Sequence, residues 1–150
     1  MLNLTIILFS AYVVYITARY GWLPSISHSF LVKKEGWVFV AWCLTIGVML
    51  FISLVETSEI VAFVAFGFIV VGANPQIDSP FQKKIHYWGA LYIILGGCAM
   101  VLVDVNPWLG AGITVAIGLF ALLSHLFRLP NKIFWIEIVA FLLIIIPFVL

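Results

Sequence analysis

GWVFVAWCLTIGVMLFISLV, residues 36–55, is a run of 20 residues without one charged side chain. A helix that crosses the ~30 Å hydrocarbon core of a bilayer needs about 20 such residues. The run opens directly after Lys33-Lys34-Glu35 and closes on the polar turn Glu56-Thr57-Ser58-Glu59. Charge at both borders and none between them is the pattern of a membrane span. A shorter apolar run, 58–73, follows the turn.

The rest of the chain repeats this pattern. The protein has 150 residues, 65% of them hydrophobic and 9% charged, with a mean hydropathy of +1.27. Soluble domains carry about 25% charged residues, and a small domain has too little interior to hide so much apolar surface. Lipid must be the solvent. Six spans are predicted, over 2–20, 36–55, 58–73, 85–103, 109–127 and 133–150. The fold class is therefore all-α, a polytopic transmembrane bundle, with residues 1–150 forming a single integral membrane domain. No basic segment precedes the first span and no small-residue cleavage site follows it, so it reads as part of the mature protein rather than as a signal. The longest connections, 21–35 and 74–84, are too short for a soluble domain.

Threading six spans places all seven basic residues on one side: Arg19, Lys33, Lys34, Lys83, Lys84, Arg128 and Lys132. Glu56, Glu59 and Asp104 fall on the other. Lys and Arg favour cytoplasmic loops. The expectation is a multi-pass protein of the inner (plasma) membrane with both termini outside and the basic loops in the cytoplasm. Trp22, Trp37, Trp88 and Trp135 lie near the cytoplasmic ends of their spans and Trp108 near an outer end, as interfacial anchors do. Cys43 and Cys98 differ in depth by about 9 Å at 1.5 Å per residue, beyond the ~7 Å that a disulfide tolerates, so both are expected free. With a net charge of +1 and basic residues accounted for by topology, no nucleic-acid partner is expected.

Small residues recur in helices 4 and 5: Gly89, Gly96 and Gly97, then Gly110, Thr114 and Gly118, with Gly112 and Ala116. Such faces let helix backbones approach closely, either inside the bundle or along the seam of a homo-oligomer. Helix 6, with Phe141-Leu142-Leu143-Ile144-Ile145-Ile146, is apolar all round and is expected at the periphery. The two halves of the chain have opposite topology but no residue-level similarity.

No motif amounts to an enzyme signature. The candidate ligand-binding residues are Ser27, His28, Asp78, His86, His125 and Glu137, all near the basic side. Ionisable groups in a membrane are costly and by default point to a function or a partner. His28, His86 and His125 at one depth would suit zinc, which takes three protein ligands and an open position in catalytic sites, although their spacing matches no compact metal motif. Glu137 is expected to face the bundle interior, paired with Arg128, Lys132, a histidine or a hydroxyl. Leu23-Pro24-Ser25-Ile26-Ser27-His28-Ser29-Phe30 is either extended, with serines alternating to one side, or helical, with Pro24 in the first turn. Either way it is expected to lie half-buried at the interface, its serines satisfying local backbone.

Ser25-Ile26-Ser27 with Phe30 and Gly36-Trp37, then FGFIVVGANP at 66–75 and His86-Tyr87, resemble a set of small uncharacterised multispanning proteins of gut Bacteroidetes and their mobile elements, from about Pro24 to Met100. The resemblance implies a polytopic membrane fold and no particular reaction. A remoter likeness, to the membrane hydrolases related to alkaline ceramidases and adiponectin receptors, would imply histidines, an aspartate and a serine around zinc. The chain lacks their close histidine pair on the last helix and has one span fewer.

Three functions follow from these features. The first is a membrane protein acting through assembly or through partner or ligand binding at its cytoplasmic face. The second is a membrane-embedded, metal-dependent lipid hydrolase using a His/Glu cluster. The third is an oligomeric channel, since the spans hold few polar groups to line a pore within one chain.

Overall fold

The computed structural model describes residues 2–31, 36–73 and 79–149, and every regular element among them is helical. The expected all-helical bundle is what forms. Helix α1 spans Leu2–Tyr20, α2 Gly36–Leu54, α3 Val61–Ala73, α4 Pro80–Met100, α5 Pro107–Leu126 and α6 Lys132–Ile145. Short 3₁₀ turns occupy Ser27–Leu31 and Ile146–Phe148, and a π turn, Val101–Val105, extends α4. Lys33, Lys34, Glu35 and Asp78 lie outside the described residues.

The ends of these helices follow from local chemistry. Gly21 takes φ +74° and closes α1, its N–H donating to Thr17 O at 2.9 Å. A left-handed residue here is cheap only for glycine. Ser79 caps α4 and Asn106 caps α5, each followed by a proline at the first helical position. That proline lacks the N–H which would otherwise be unpaired. Asn106 Oδ1 accepts from the N–H of Trp108 at 2.9 Å and of Leu109 at 3.1 Å. Its own N–H donates to Val101 O at 3.0 Å, a five-residue span that defines the π turn.

Four helices are long and apolar enough to cross a membrane: α1, α2, α5 and the continuous α4–π segment, Pro80–Val105. At 1.5 Å per residue α3 reaches only about 20 Å, short of the hydrocarbon thickness, and α6 only slightly more. Helix α3 is compensated by burial. It lies between α2 and α4, where a Cβ on Gly67 would come within 2.8 Å of Gly89 O and one on Gly47 within 3.0 Å of Ala65 O.

Helix α6 departs from expectation. It has the fewest exposed side chains of the six helices and is not peripheral: Phe134, Ala140, Phe141, Ile144 and Ile145 are buried, and Ile133 is its one exposed side chain. A Cβ on Gly97 of α4 would meet Ile144 Cδ1 at 2.7 Å. The exposed helix is α5, with four buried residues, Gly110, Ile113, Ile117 and Ser124. Lipid tails are as apolar as leucine, so an all-apolar surface does not tell a bundle's inside from its outside. Of the small residues on α5, Gly110 packs against Leu102, whereas nothing lies within 4 Å of the Cβ positions of Gly112 and Gly118.

The described basic residues gather at one end of the bundle. Arg19 ends α1, Lys83 and Lys84 lie in the first turns of α4, Arg128 follows α5 and Lys132 opens α6. Glu56, Glu59 and Asp104 gather around one depression at the other end.

Candidate functional site: a carboxyl-bearing cavity under the first loop

The segment after α1 folds back into the basic end of the bundle. Leu23, Ser25, Ile26, Ser27 and Ser29 are all buried. The segment is neither extended nor an α-helix. It bends and then makes a 3₁₀ turn, with the His28 and Ser29 N–H groups donating to Ser25 O and Ile26 O, each at 3.1 Å. Side chains satisfy much of the remaining polarity. Ser25 Oγ accepts from His28 N at 3.1 Å and lies 3.0 Å from Ser27 Oγ. Ser29 Oγ donates its one proton to Ile26 O at 2.6 Å. Tyr12 must therefore be the donor in the 2.7 Å contact between its hydroxyl and Ser29 Oγ. Buried backbone needs such partners because no water reaches it.

Helix α6 holds this loop in place. Phe134 N–H donates to Pro24 O at 3.1 Å, and Asn131 Nδ2 donates to Trp22 O at 3.3 Å. The third tie is the important one: Ile26 N–H donates to Glu137 Oε2 at 2.6 Å. Glu137 does face the interior, but its partner is this backbone amide and not Arg128, Lys132, a histidine or a hydroxyl. Only two-residue accuracy along the loop would have shown which N–H the carboxyl meets. Glu137 Oε1 makes no hydrogen bond among the described residues.

Beneath the loop lies a cavity of about 80 Å³, several times the ~10–15 Å³ that one water requires on this measure. Ser27, His86 and Glu137 bring polar groups to its wall, and Ile26 and Cys43 adjoin them. The rest of the wall is apolar and strongly aromatic: Phe9, Phe39, Trp42, Phe68 and Phe141, from four different helices. Phe9 stacks on Phe141 at 3.6 Å between centroids, and Tyr12 stacks on Trp42 at 4.5 Å. Phe68 meets Trp42 and Phe141 edge-on. Trp42 Nε1 is buried without an acceptor among the described residues. On α6, Glu137, Ala140, Phe141 and Ile144 all line the cavity, because positions three, four and seven apart share one helix face.

Of the sequence-derived candidates, then, Ser27, His86 and Glu137 converge. His28 is half-buried in the same loop but is not part of the cavity wall. His125 is exposed, its Nδ1 2.9 Å from Lys132 Nζ, and it too is outside the wall. Among the described residues no three His, Cys, Asp or Glu side chains gather as a metal site would require. Cys43 and Cys98 are free and buried. The aromatic wall had no local motif to announce it. Trp42 was its one sequence signal, as the tryptophan that lies well inside a span and away from either interface. Compared with protein-family models, with curated proteins and with solved structures, the chain matches none.

Proposed function

We propose that the protein is a multi-pass plasma-membrane protein that binds a small amphipathic ligand in this cavity, with the basic end and its loop in the cytoplasm and both chain ends outside. The observation that carries the reading is the convergence of Glu137, His86 and Ser27 on one cavity whose other walls are apolar. A carboxyl group at membrane depth is expensive unless it has a partner or a task. One hydrogen bond from Ile26 occupies one of its oxygens, which leaves the other for a ligand. Concave, mostly apolar sites with a few convergent polar groups are the usual form of a small-molecule site. The loop over the cavity is anchored both by hydrogen bonds to α6 and by Leu23 and Ile26 in the apolar core, so it forms a fixed cover.

Ligand binding to the folded state raises thermal stability in proportion to the logarithm of ligand concentration. Purified protein in a nonionic detergent is titrated with octyl compounds bearing different headgroups while unfolding is followed. Saturable stabilisation by at least one of them, lost in Ala90→Leu, is the expected result. Ala90 lines the cavity and is only half-buried, so the larger side chain can fill the space without breaking the core. Absence of saturable stabilisation by every headgroup would remove the reading.

A further inference from the structure

We propose that the ligand class of this cavity is an organic monocation, an ammonium or quaternary ammonium group on an apolar body. The inference rests on the ligand-binding reading above and specifies its chemistry.

Three features of the wall select for positive charge. First, Glu137 supplies the one carboxyl group, and Oε1 is unused by the described protein. An ammonium group can give that oxygen a charge-assisted hydrogen bond, and a quaternary ammonium can give it a close counter-charge. Second, five aromatic rings, Phe9, Phe39, Trp42, Phe68 and Phe141, stand around the same space. The π faces of aromatic rings attract cations, most strongly where water is excluded, although Phe9 and Phe141 turn one face to each other and Trp42 turns one to Tyr12. Third, among the described residues no lysine or arginine lines the cavity, although Arg19, Lys83, Lys84, Arg128 and Lys132 lie at this end of the bundle.

An anionic headgroup fits the wall poorly. It would enter a wall to which the described residues bring no lysine or arginine to answer its charge. A neutral alcohol could hydrogen-bond Oε1 but would gain nothing from the rings. The apolar residues Ile93, Ile94, Ala140 and Ile144 complete the wall, and at about 80 Å³ the cavity admits a small headgroup and the first carbons of an alkyl body, the rest of the chain lying outside it. Two sources of this chemistry exist, the ammonium headgroup of a phospholipid and a free hydrophobic amine.

The test compares octanol, octanoate, octylammonium and octyltrimethylammonium, one chain length with four headgroups, by equilibrium binding to the wild-type protein in nonionic detergent. The two cations are expected to bind about tenfold more tightly than the alcohol, and the carboxylate more weakly than the alcohol. Glu137→Gln keeps an oxygen acceptor for Ile26 N–H and removes the charge, so it should bring the cations to within about threefold of the alcohol. Equal affinity of alcohol and cations in the wild-type protein, with binding still saturable and still lost in Ala90→Leu, would overturn the cation assignment and leave the cavity reading standing. No saturable binding of any headgroup would overturn both. The wild-type comparison decides the matter even if a variant fails to fold. Displacement of octyltrimethylammonium by dihexanoyl phosphatidylcholine assigns the site to a lipid headgroup, and displacement only by free amines assigns it to a soluble cation. Either outcome upholds the proposed chemistry.

Discussion

Replacing Glu137 by Leu should destabilise the protein more than replacing it by Gln, although leucine is the better residue for a membrane. The reasoning rests on Ile26, which is 4% exposed and whose N–H has Glu137 Oε2 as its acceptor at 2.6 Å. Leucine offers no acceptor. A buried donor left without a partner costs about 1–3 kcal/mol. Glutamine has nearly the shape of glutamate and keeps an oxygen for the same N–H, so it forfeits only the extra strength of a charged acceptor. The gap between the two variants is therefore about 1–2 kcal/mol. At ~2–4 °C per kcal/mol for a chain of this size, leucine should melt roughly 2–8 °C below glutamine. Cys43 and Cys98 are both free and buried, so a thiol-reactive fluorophore reports unfolding without added labels. If Glu137→Leu melts at or above Glu137→Gln, the carboxyl does not hold the loop, and the link between loop and cavity falls with it.

Two further outcomes test the packing and the orientation. On α5, Gly110→Ala would drive its Cβ onto Leu102 Cα and Cβ and within 2.5 Å of Leu102 N, a backbone clash expected to cost ~2–3 kcal/mol, whereas Gly112→Ala and Gly118→Ala point into open space and should stabilise by ~0.5–1 kcal/mol; equal signs at the three positions in a melting experiment would contradict the placement of α5. In a background without native cysteines, Lys33→Cys should be labelled by an impermeant thiol reagent only from the cytoplasmic side and Glu56→Cys only from outside, and the reverse pattern would invert the proposed topology.

What the sequence disclosed of the fold, and what it did not, divides along the physics of the solvent. Helix existence was legible because a run such as 36–55 has one explanation in a 150-residue chain. The ends of α1 and α5 were legible to within two residues, whereas α4 begins at Pro80, five residues before the expected 85, because the Ser79-Pro80 cap starts the helix ahead of its apolar run. The places of α5 and α6 were not. In water an all-apolar helix is driven to the centre and an amphipathic one to the surface. In lipid that rule has no force, and burial is decided by shape and by the few polar groups. Helix α6 carried the decisive polar group, Glu137, and its apolar run Phe141–Ile146 pointed the other way.

The candidate site shows the same division. Ser27, His86 and Glu137 were conspicuous because each is polar in an apolar setting, and depth alone placed them near one another. Depth also grouped His28 and His125 with them, because it fixes one coordinate and leaves rotation about the helix axis free. His125 follows the exposed face of α5 to Lys132, while His86 turns inward from α4. The aromatic wall was hidden for a different reason. Phenylalanine is ordinary in a membrane helix, and Phe9, Phe39, Phe68 and Phe141 share a wall only once four helices are assembled.

The loop and α6 explain each other. A segment rich in serine cannot lie in the bundle end unless its backbone is satisfied, and a glutamate cannot lie in α6 unless something answers its oxygens. Ile26 N–H and Glu137 Oε2 meet both needs in one bond. The pairing draws α6 inward, and it leaves one carboxyl oxygen over a cavity. A purely structural solution was available to the fold, since serine or asparagine at 137 could also have offered an acceptor without a charge. A residue that brings a second oxygen and a potential charge to an aromatic cavity exceeds what holding the loop requires. That second oxygen, with His86 and Ser27 on the same wall, is what the proposed ligand reading draws on.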